Sequence, residues 1–239
     1  MNKTAFVSGA SRGIGRAAAK SLAQAGYDLH ITCRKSMQQL LEVKKELEMN
    51  YGIRCMAYTC NMGNYEEVNR VFESISSLEV LVNNAGVSYI GLLSEMEIAQ
   101  WQEVMDTNLN SIFYTCKCAI PLMLKKKAGR IINISSVWGN VGASMEVAYS
   151  ASKGGVNSLT KALAKELAPS HICVNGIACG IIDTKMNQCF DEEEKRALAE
   201  EIPADRFGSP EEVAKMIMQL VDAPEYMTGQ IITIDGGWY

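Results

Sequence analysis

TAFVSGASRGIG, residues 4–15, runs from a short apolar segment directly into a cluster of three glycines. The apolar part has the length and composition of a buried strand, and residues at helical spacing follow it. Glycines between a strand and a helix let the backbone turn tightly and approach a pyrophosphate, whose charge is met by free amides at the helix N-terminus. The stretch therefore predicts a strand, a turn and a helix that together bind a dinucleotide.

Short apolar strands and longer helical segments alternate along the rest of the chain, and no linker or internal repeat interrupts them. This order predicts an α/β fold: a doubly wound, Rossmann-type, seven-stranded parallel sheet with helices on both faces. The predicted strands are residues 4–8, 28–33, 54–59, 80–83, 130–135, 172–177 and 230–234. The predicted helices are residues 14–25, 37–49, 65–75, 98–126, 148–168 and 210–220. Pro121 is expected to kink or end the longest of these helices.

Length and charge limit the domain organisation and the class of partner. The 239 residues predict a single domain, 1–239, with an acidic, lid-like substrate segment at about 183–208. The chain has 27 acidic and 23 basic residues and therefore no excess of positive charge that would bind phosphates, so we expect no nucleic-acid partner. The first residues hold no signal-peptide or membrane-spanning stretch, so we expect a cytoplasmic protein that does not bind a membrane.

The cysteines and histidines do not indicate a metal site. The eight cysteines are scattered without C-x-x-C spacing, and His30 and His171 are the only histidines. In a chain of this size, free and mostly buried thiols are expected rather than disulfides. Neither histidine lies in a pattern that indicates a serine-histidine-aspartate triad, so the chemistry must come from other residues.

Tyr149 and Lys153 lie four residues apart in a helical segment, and Ser136 lies upstream at the end of an apolar run. Residues at i and i+4 share one helix face, so the phenol and the ammonium are predicted to project into one cleft. A neighbouring cation favours the phenolate, so we expect the pKa of Tyr149 to fall from its ordinary value of about 10. Such a pair can move a proton to or from an alcohol oxygen.

Three motifs in order closely resemble the short-chain dehydrogenase/reductase family over essentially the whole chain. They are the G-x-x-x-G-x-G loop at 9–15, the run NNAG at 83–86, and the serine, tyrosine and lysine above. The stretch VNGIACG at 174–180 and the ending IDGG at 234–237 belong to the same resemblance. The expected activity is therefore hydride transfer at nicotinamide C4, coupled to transfer of a proton.

The resemblance implies a role for each catalytic residue. Tyr149 is the general acid in reduction and the general base in oxidation, and Lys153 stabilises the phenolate and binds the nicotinamide ribose. Ser136 orients the substrate carbonyl and stabilises its developing negative charge. Asn108, in the long central helix, holds a water that links Lys153 to solvent.

The resemblance also implies the cofactor contacts, with Asn61 at the adenine. The implied cofactor-binding residues are Gly9, Ser11, Arg12, Gly13, Ile14, Gly15, Arg34, Asn61, Met62, Asn84, Ala85, Gly86, Tyr149, Lys153, Gly180, Ile182 and Thr184. Arg34 and Lys35 occupy the region where an acidic residue would bind the 2′-hydroxyl of NAD, and Arg12 adds another cation. These charges favour NADP(H), with NAD(H) left open.

Within the family, the chain most resembles the bacterial 3-oxoacyl-acyl-carrier-protein reductases, notably at Asn175 and in residues 206–214, 228–230 and 235–239. This resemblance implies NADPH-dependent reduction of a 3-oxoacyl thioester, carried by acyl-carrier protein or CoA, in fatty-acid or related acyl biosynthesis. Two alternatives stay open. One is an alcohol, sugar or hydroxysteroid dehydrogenase on the same scaffold, and the other is a non-catalytic nucleotide-binding protein.

Two positions depart from that group of reductases. Carrier-dependent members place a basic residue before the fifth strand and another before the sixth, near the active-site entrance. Here the first is Lys127 but the second is Ser170, which leaves carrier docking open. Cys179 stands where the family usually has proline and puts a thiol near the cofactor. Because members usually assemble through the two long helices, we also expect a homotetramer.

Overall fold

The structure is a computed structural model that describes residues 3–187 and 191–239. In that part of the chain, seven strands form one sheet in the order β3-β2-β1-β4-β5-β6-β7, and all neighbours are parallel. The strands are β1 (Thr4–Val7), β2 (Asp28–Cys33), β3 (Cys55–Thr59), β4 (Val80–Asn83), β5 (Gly129–Ser136), β6 (Ile172–Cys179) and β7 (Ile231–Ile234). The predicted doubly wound, Rossmann-type fold is confirmed.

Helices cover both faces of the sheet, because its central strands are apolar on both sides. They are α1 (Gly13–Gln24), α2 (Met37–Tyr51), α3 (Tyr65–Glu73), α4 (Ile98–Met105), α5 (Ser111–Lys126), α6 (Trp138–Val141), α7 (Val147–Leu167), α8 (Glu192–Glu200) and α9 (Pro210–Val221). Helices α1, α2 and α9 pack on one face, and α3, α5 and α7 pack on the other. Within the described ranges, no helix has both the length and the apolarity needed to cross a membrane.

The long helix predicted at 98–126 is two helices. A π-helical turn, Asp106–Asn110, separates α4 from α5. Pro121 does not end the helix, since α5 continues to Lys126. Pro121 is exposed, so water can reach the carbonyl that loses its amide partner. In the predicted lid at 183–208 the structure contains α8, whereas residues 188–190 of that segment lie outside the described residues.

A chain of buried polar side chains ties α5 and α7 to the middle of the sheet. Thr115 on α5 donates its hydroxyl to Asn83 Oδ1 on β4 at 2.7 Å, and Asn83 Nδ2 donates to Asn133 Oδ1 on β5 at 2.9 Å. Asn133 Nδ2 then donates to Thr160 Oγ1 on α7 at 2.8 Å. All four residues are buried, so each hydrogen bond is made where water cannot replace it.

Replacing Asn133 with alanine should destabilise the fold by about 2–6 kcal/mol, because Asn83 and Thr160 each lose a buried partner at a cost of about 1–3 kcal/mol. The check is urea unfolding at equal protein concentration, with Asn50→Ala on the exposed surface of α2 as the control. The control should change the free energy of unfolding by less than about 0.5 kcal/mol. A loss for Asn133→Ala no larger than the control's would contradict the role of this chain of side chains.

Candidate active site

A cavity of about 860 Å³ lies at the carboxyl ends of the strands, where open α/β sheets bind their ligands. Segments that follow the first six strands contribute to its walls. Its middle lies beside the point at which β1 and β4 are neighbours and the order of strands reverses. One end therefore lies over β1 to β3, and the other over β5 and β6.

The glycine loop after β1 forms a close-fitting floor to this cavity. Gly9 has a φ of 68°, and a Cβ there would lie 3.1 Å from Ala85 Cα. A Cβ on Gly15 would lie 2.3 Å from the oxygen of Gly9 and 2.5 Å from Asn84 Nδ2, so the start of α1 can approach the loop only with glycine there. Gly15 itself does not line the described cavity and serves this packing instead.

The N-terminus of α1 opens onto the same floor. Arg12, at the N-cap position, contributes no side-chain cap, which leaves the first-turn amides for an anion. Asn84 Nδ2 donates to the oxygens of Ser8 at 2.9 Å and Gly9 at 3.1 Å, and so holds the loop in place from the neighbouring strand end. A fixed glycine turn before a free helix N-terminus fits the pyrophosphate of a dinucleotide.

Cations line the end of the cavity over β2 and β3. Arg12, Arg34 and Lys35 all face it. Arg34 Nη1 donates to Glu103 Oε1 at 2.6 Å, so a carboxylate from α4 also reaches this end. Asn61 lines the cavity too, and its Oδ1 accepts from the amide of Gly63 at 3.2 Å, which shapes the turn after β3.

Ser136, Tyr149 and Lys153 meet at the other end of the cavity. Ser136 ends β5, and its hydroxyl lies near enough to the phenol of Tyr149 on α7 to lower the pKa of that phenol. Lys153, one turn later on α7, donates its Nζ to the oxygen of Ile134 at 2.8 Å. The same Nζ lies 5.6 Å from the centroid of the Tyr149 ring. The structure thus brings the three predicted catalytic residues together.

Close packing of α6 against α7 sets this arrangement. A Cβ on Gly139 would lie 2.7 Å from the backbone carbon of Lys153, so only glycine allows α6 to approach so closely. Ser135 Oγ also donates to the oxygen of Lys153 at 3.3 Å and ties α7 to the end of β5. The backbone amide of Trp138 donates to Ser136 Oγ at 3.2 Å, which orients the serine hydroxyl.

The pKa of Tyr149 does not follow the prediction from the sequence. Burial of the phenol raises its pKa above 10.0; Cys179 and Glu146 add to the rise, and the nearby hydroxyl of Ser136 opposes it. The predicted fall is wrong because burial removes the water that would solvate the phenolate. Burial also lowers the pKa of Lys153 to about 8, against an opposing effect of Cys179. At neutral pH the phenol is protonated, which is the form that can donate a proton.

Asn108 does not line the described cavity but lies directly behind it. Its Oδ1 accepts from the amide of Val87 at 2.8 Å, and its Nδ2 donates to the oxygen of Val87 at 2.9 Å and to Ser152 Oγ at 3.0 Å. A Cβ on Gly86 would lie 3.3 Å from Asn108 Oδ1 and 3.7 Å from Lys153 Nζ. Asn108 therefore joins the π-helical turn to α7, and the glycine leaves space between Asn108 and Lys153.

Most of the predicted cofactor residues line the cavity. They are Gly9, Ser11, Arg12, Gly13, Ile14, Arg34, Asn61, Met62, Asn84, Ala85, Gly86, Tyr149, Lys153, Gly180, Ile182 and Thr184. The sequence-based prediction missed other residues of the wall. They include Ser88, Ile90, Glu103, Trp138, Glu146, Met186, Leu198 and Trp238.

Two of the missed residues carried a signal in the sequence. Trp138 follows Ser136 by two residues, and Glu146 precedes Tyr149 by three, so both lie within one turn of a predicted catalytic residue. Glu146 accepts a short hydrogen bond from Ser88 at the cavity wall. Glu103 and Trp238 carried no such signal, because their place depends on how α4 and the end of the chain pack.

Lys127 and Ser170 lie far from the cavity entrance of their own chain. They precede β5 and β6, at the amino ends of these strands, whereas Ser136 and Cys179 are paired at the carboxyl ends. The expectation that Lys127 lies near the entrance is therefore wrong within a single chain. Cys179 does line the cavity, and burial raises the pKa of its thiol to about 12, so it is not a thiolate at neutral pH.

The chain matches the family described as short chain dehydrogenase over residues 3–195. It is 40% identical to the 3-oxoacyl-[acyl-carrier-protein] reductase FabG of Aquifex aeolicus (strain VF5), over 99% of this chain and 97% of that protein. It is 36% identical to an uncharacterized oxidoreductase, YmfI, of Bacillus subtilis (strain 168), over 100% of both chains. A crystal structure of a putative gluconate dehydrogenase from Agrobacterium tumefaciens is also similar. It has a TM-score of 0.93 and 34% identity over 99% of this chain and 95% of that one.

These similarities cover the whole chain and agree with the geometry of the cavity. A glycine floor for a dinucleotide lies at one end, and a serine, a tyrosine and a lysine meet at the other. The chain belongs to the short-chain dehydrogenase family and is an oxidoreductase that interconverts alcohol and carbonyl groups with a nicotinamide cofactor.

Proposed function

We propose that the chain reduces a 3-oxoacyl thioester to the 3-hydroxyacyl thioester with NADPH, in fatty-acid or related acyl biosynthesis. The observation that carries this proposal is the apolar and aromatic wall beside the catalytic residues. Ile90, Val137, Trp138, Met186, Leu198 and Trp238 all line the cavity. Such a wall suits an acyl chain, whereas the hydroxyls of a sugar would lose their hydrogen bonds to water there.

The aromatic part of this wall comes from Trp138 on α6 and Trp238 near the end of the chain. The rings of Trp138 and Trp238 pack edge to face with centroids 5.0 Å apart, and Tyr239 packs on Trp138 at 5.3 Å. The carboxylate of Asp235 accepts from the amides of Gly237 at 3.0 Å and Tyr239 at 2.9 Å, which fixes the terminal residues against the sheet. The two indoles therefore form a fixed apolar surface against which the substrate can pack.

A nicotinamide dinucleotide supplies the hydride when it is bound. Gly9, Gly13 and the first amides of α1 would hold its pyrophosphate. Arg34, with Arg12 and Lys35 beside it, would bind the 2′-phosphate of NADP(H), which is why we propose NADP(H) rather than NAD(H).

The side chains of the protein handle the substrate oxygen and the proton. Ser136 donates a hydrogen bond to the carbonyl oxygen and holds it against Tyr149. Tyr149 donates its proton to that oxygen as negative charge develops there. The ammonium of Lys153 lies over the ring and stabilises the phenolate that remains. We propose that a water in the space at Gly86, between Asn108 and Lys153, returns a proton to the site.

We also propose that the enzyme works as a cytoplasmic homotetramer. Phe113 on α5 and Val147 on α7 are exposed apolar side chains on the two helices expected at the interface. A tetramer would also allow Lys127 of one chain to approach the cavity entrance of another chain. Docking of acyl-carrier protein therefore stays an open alternative. Light scattering tests the assembly, and a mass equal to one chain would refute it.

The direct test of the proposed function is steady-state kinetics with NADPH and NADH on a short 3-oxoacyl thioester, free as the CoA ester and bound to acyl-carrier protein. We expect turnover of the thioester, with NADPH favoured in kcat/KM. Oxidation of gluconate, a simple alcohol and a hydroxysteroid with NADP+ or NAD+ forms the competing arm. Faster turnover in that arm, or tight NADPH binding with no turnover in either arm, would refute the proposal.

Replacing Trp138 with valine should shift the preference towards longer acyl chains, because the indole closes part of the apolar wall. We expect the ratio of kcat/KM for an eight-carbon to a four-carbon 3-oxoacyl thioester to rise about tenfold, the effect of one or two methylenes placed in an apolar pocket. Trp101→Val, on α4 and outside the described cavity wall, is the matched control. An unchanged ratio would remove Trp138 from the substrate site.

A further inference from the structure

Arg34 and Glu103 form an ion pair across the cationic end of the cavity. Arg34 follows β2 and Glu103 lies on α4, and both side chains line the cavity wall. Arg34 Nη1 and Glu103 Oε1 are 2.6 Å apart, and the two side chains are 42% and 52% exposed. Solvent therefore reaches the pair, and an incoming ligand can reach it too.

The environment of Glu103 differs from that of the other carboxylate on the described cavity wall. Glu146 lies at the catalytic end and accepts the hydrogen bond of Ser88. Glu103 instead faces the cations that would receive a phosphate, and its partner is Arg34. A negative side chain at a site built for an anion opposes the binding of that anion.

We propose that Glu103 sets how strongly the enzyme discriminates between the two nicotinamide cofactors, by competing with the 2′-phosphate of NADP(H) for Arg34. This inference rests on the proposed function, in which Arg34 receives that phosphate. NADP(H) must share or replace the contact of Glu103 with Arg34, and it must place its own negative charge near the carboxylate. NAD(H), with a neutral 2′-hydroxyl, leaves the ion pair intact. Glu103 therefore weakens the binding of NADP(H) and leaves that of NAD(H) almost unchanged.

The test is Glu103→Gln, which keeps the shape of the side chain and removes its charge. The dissociation constants of NADPH and NADH are measured without substrate, by the change in nicotinamide fluorescence on binding. We expect NADPH to bind about three- to tenfold more tightly to the variant at low salt, and NADH to stay within about twofold. The gain for NADPH should shrink in about 0.5 M salt, because salt screens exposed charges.

Glu166→Gln is the matched control, since it makes the same change of charge on an exposed position near the C-terminus of α7, which packs on β5 and β6 rather than on β2. Its dissociation constants should stay within about twofold of the wild type for both cofactors. Unchanged or weaker NADPH binding in Glu103→Gln would overturn the inference, and weaker binding would show that Glu103 holds Arg34 in place for the phosphate. A wild-type enzyme that binds NADH more tightly than NADPH would refute the proposed cofactor instead.

Discussion

Replacing Tyr149 with phenylalanine should lower kcat for carbonyl reduction by about 10²–10⁴-fold, the usual contribution of a general acid. The substitution removes one hydroxyl and keeps the ring that packs near Lys153. The raised pKa of Tyr149 keeps its phenol protonated at neutral pH, which is the form that the proposed mechanism requires. In the mechanism that we propose, Ser136 still orients the substrate in the variant but does not replace the missing proton donor.

The measurement is steady-state reduction of a 3-oxoacyl thioester, together with thermal unfolding and the dissociation constant of NADPH. Tyr226→Phe is the control. Tyr226 is fully exposed, so this substitution removes the same hydroxyl group without an effect on the cavity. The stability of Tyr149→Phe should stay close to that of the control, and the dissociation constant of NADPH should change far less than kcat. A kcat within threefold of the control would remove Tyr149 from the chemistry.

Replacing Lys153 with methionine should reduce the rate of carbonyl reduction by about 10²-fold or more. It should also remove the dependence of that rate on pH near 8. Burial lowers the pKa of Lys153 to about 8, so the ammonium is charged below that pH and neutral above it. The wild-type rate of reduction should therefore fall as the pH rises through about 8. Tyr149 stays protonated over this range because its own pKa is raised, so the fall reports on Lys153.

Stability should depend on Lys153 in the same pH window. Between about 8 and the ordinary value of 10.5, the unfolded chain binds a proton at this residue that the folded chain does not hold. The free energy of unfolding should therefore rise with pH across that window, and Lys153→Met should lack the rise. Lys161→Met, an exposed change on the same helix, is the control. If the rate of carbonyl reduction fell equally through pH 8 in Lys153→Met, the assignment of this pH dependence to Lys153 would be contradicted.

The sheet could be predicted from the sequence because its strands are short, apolar and bounded by turn residues. Strand β5 is buried on both faces, as its adjacent residues Ile131 and Ile132 show. Such a strand can be predicted from its continuous apolar run, without knowledge of the strands beside it. The break at Asp106–Asn110 could not be predicted, since the apolar period of the segment continues across it. In the π-helical turn Asn108 forms hydrogen bonds with Val87 and Ser152, which lie 21 and 44 residues away in the sequence, so these contacts cannot be read from local spacing.

The position of the candidate site could be predicted more fully than its electrostatics. The spacing of Tyr149 and Lys153 places both side chains on one face of α7, and Ser136 lies at the end of a predicted strand. The structure brings the three residues together at the cavity. The pKa of Tyr149 was predicted in the wrong direction because burial, a property of the packed structure, outweighs local charge there. Glu103 was missed for a similar reason, since its partner Arg34 lies 69 residues away in the sequence.

Single turnover tests the central claim most directly, because it separates the chemical step from cofactor binding and product release. NADPH is bound first to excess wild-type enzyme or Tyr149→Phe, and a short 3-oxoacyl thioester is then added while the absorbance of the reduced nicotinamide is followed. We predict rapid oxidation of NADPH by the wild type and a rate at least about 10²-fold lower in the variant at the same occupancy. Equal rates in the two proteins, or no oxidation by the wild type, would contradict the account.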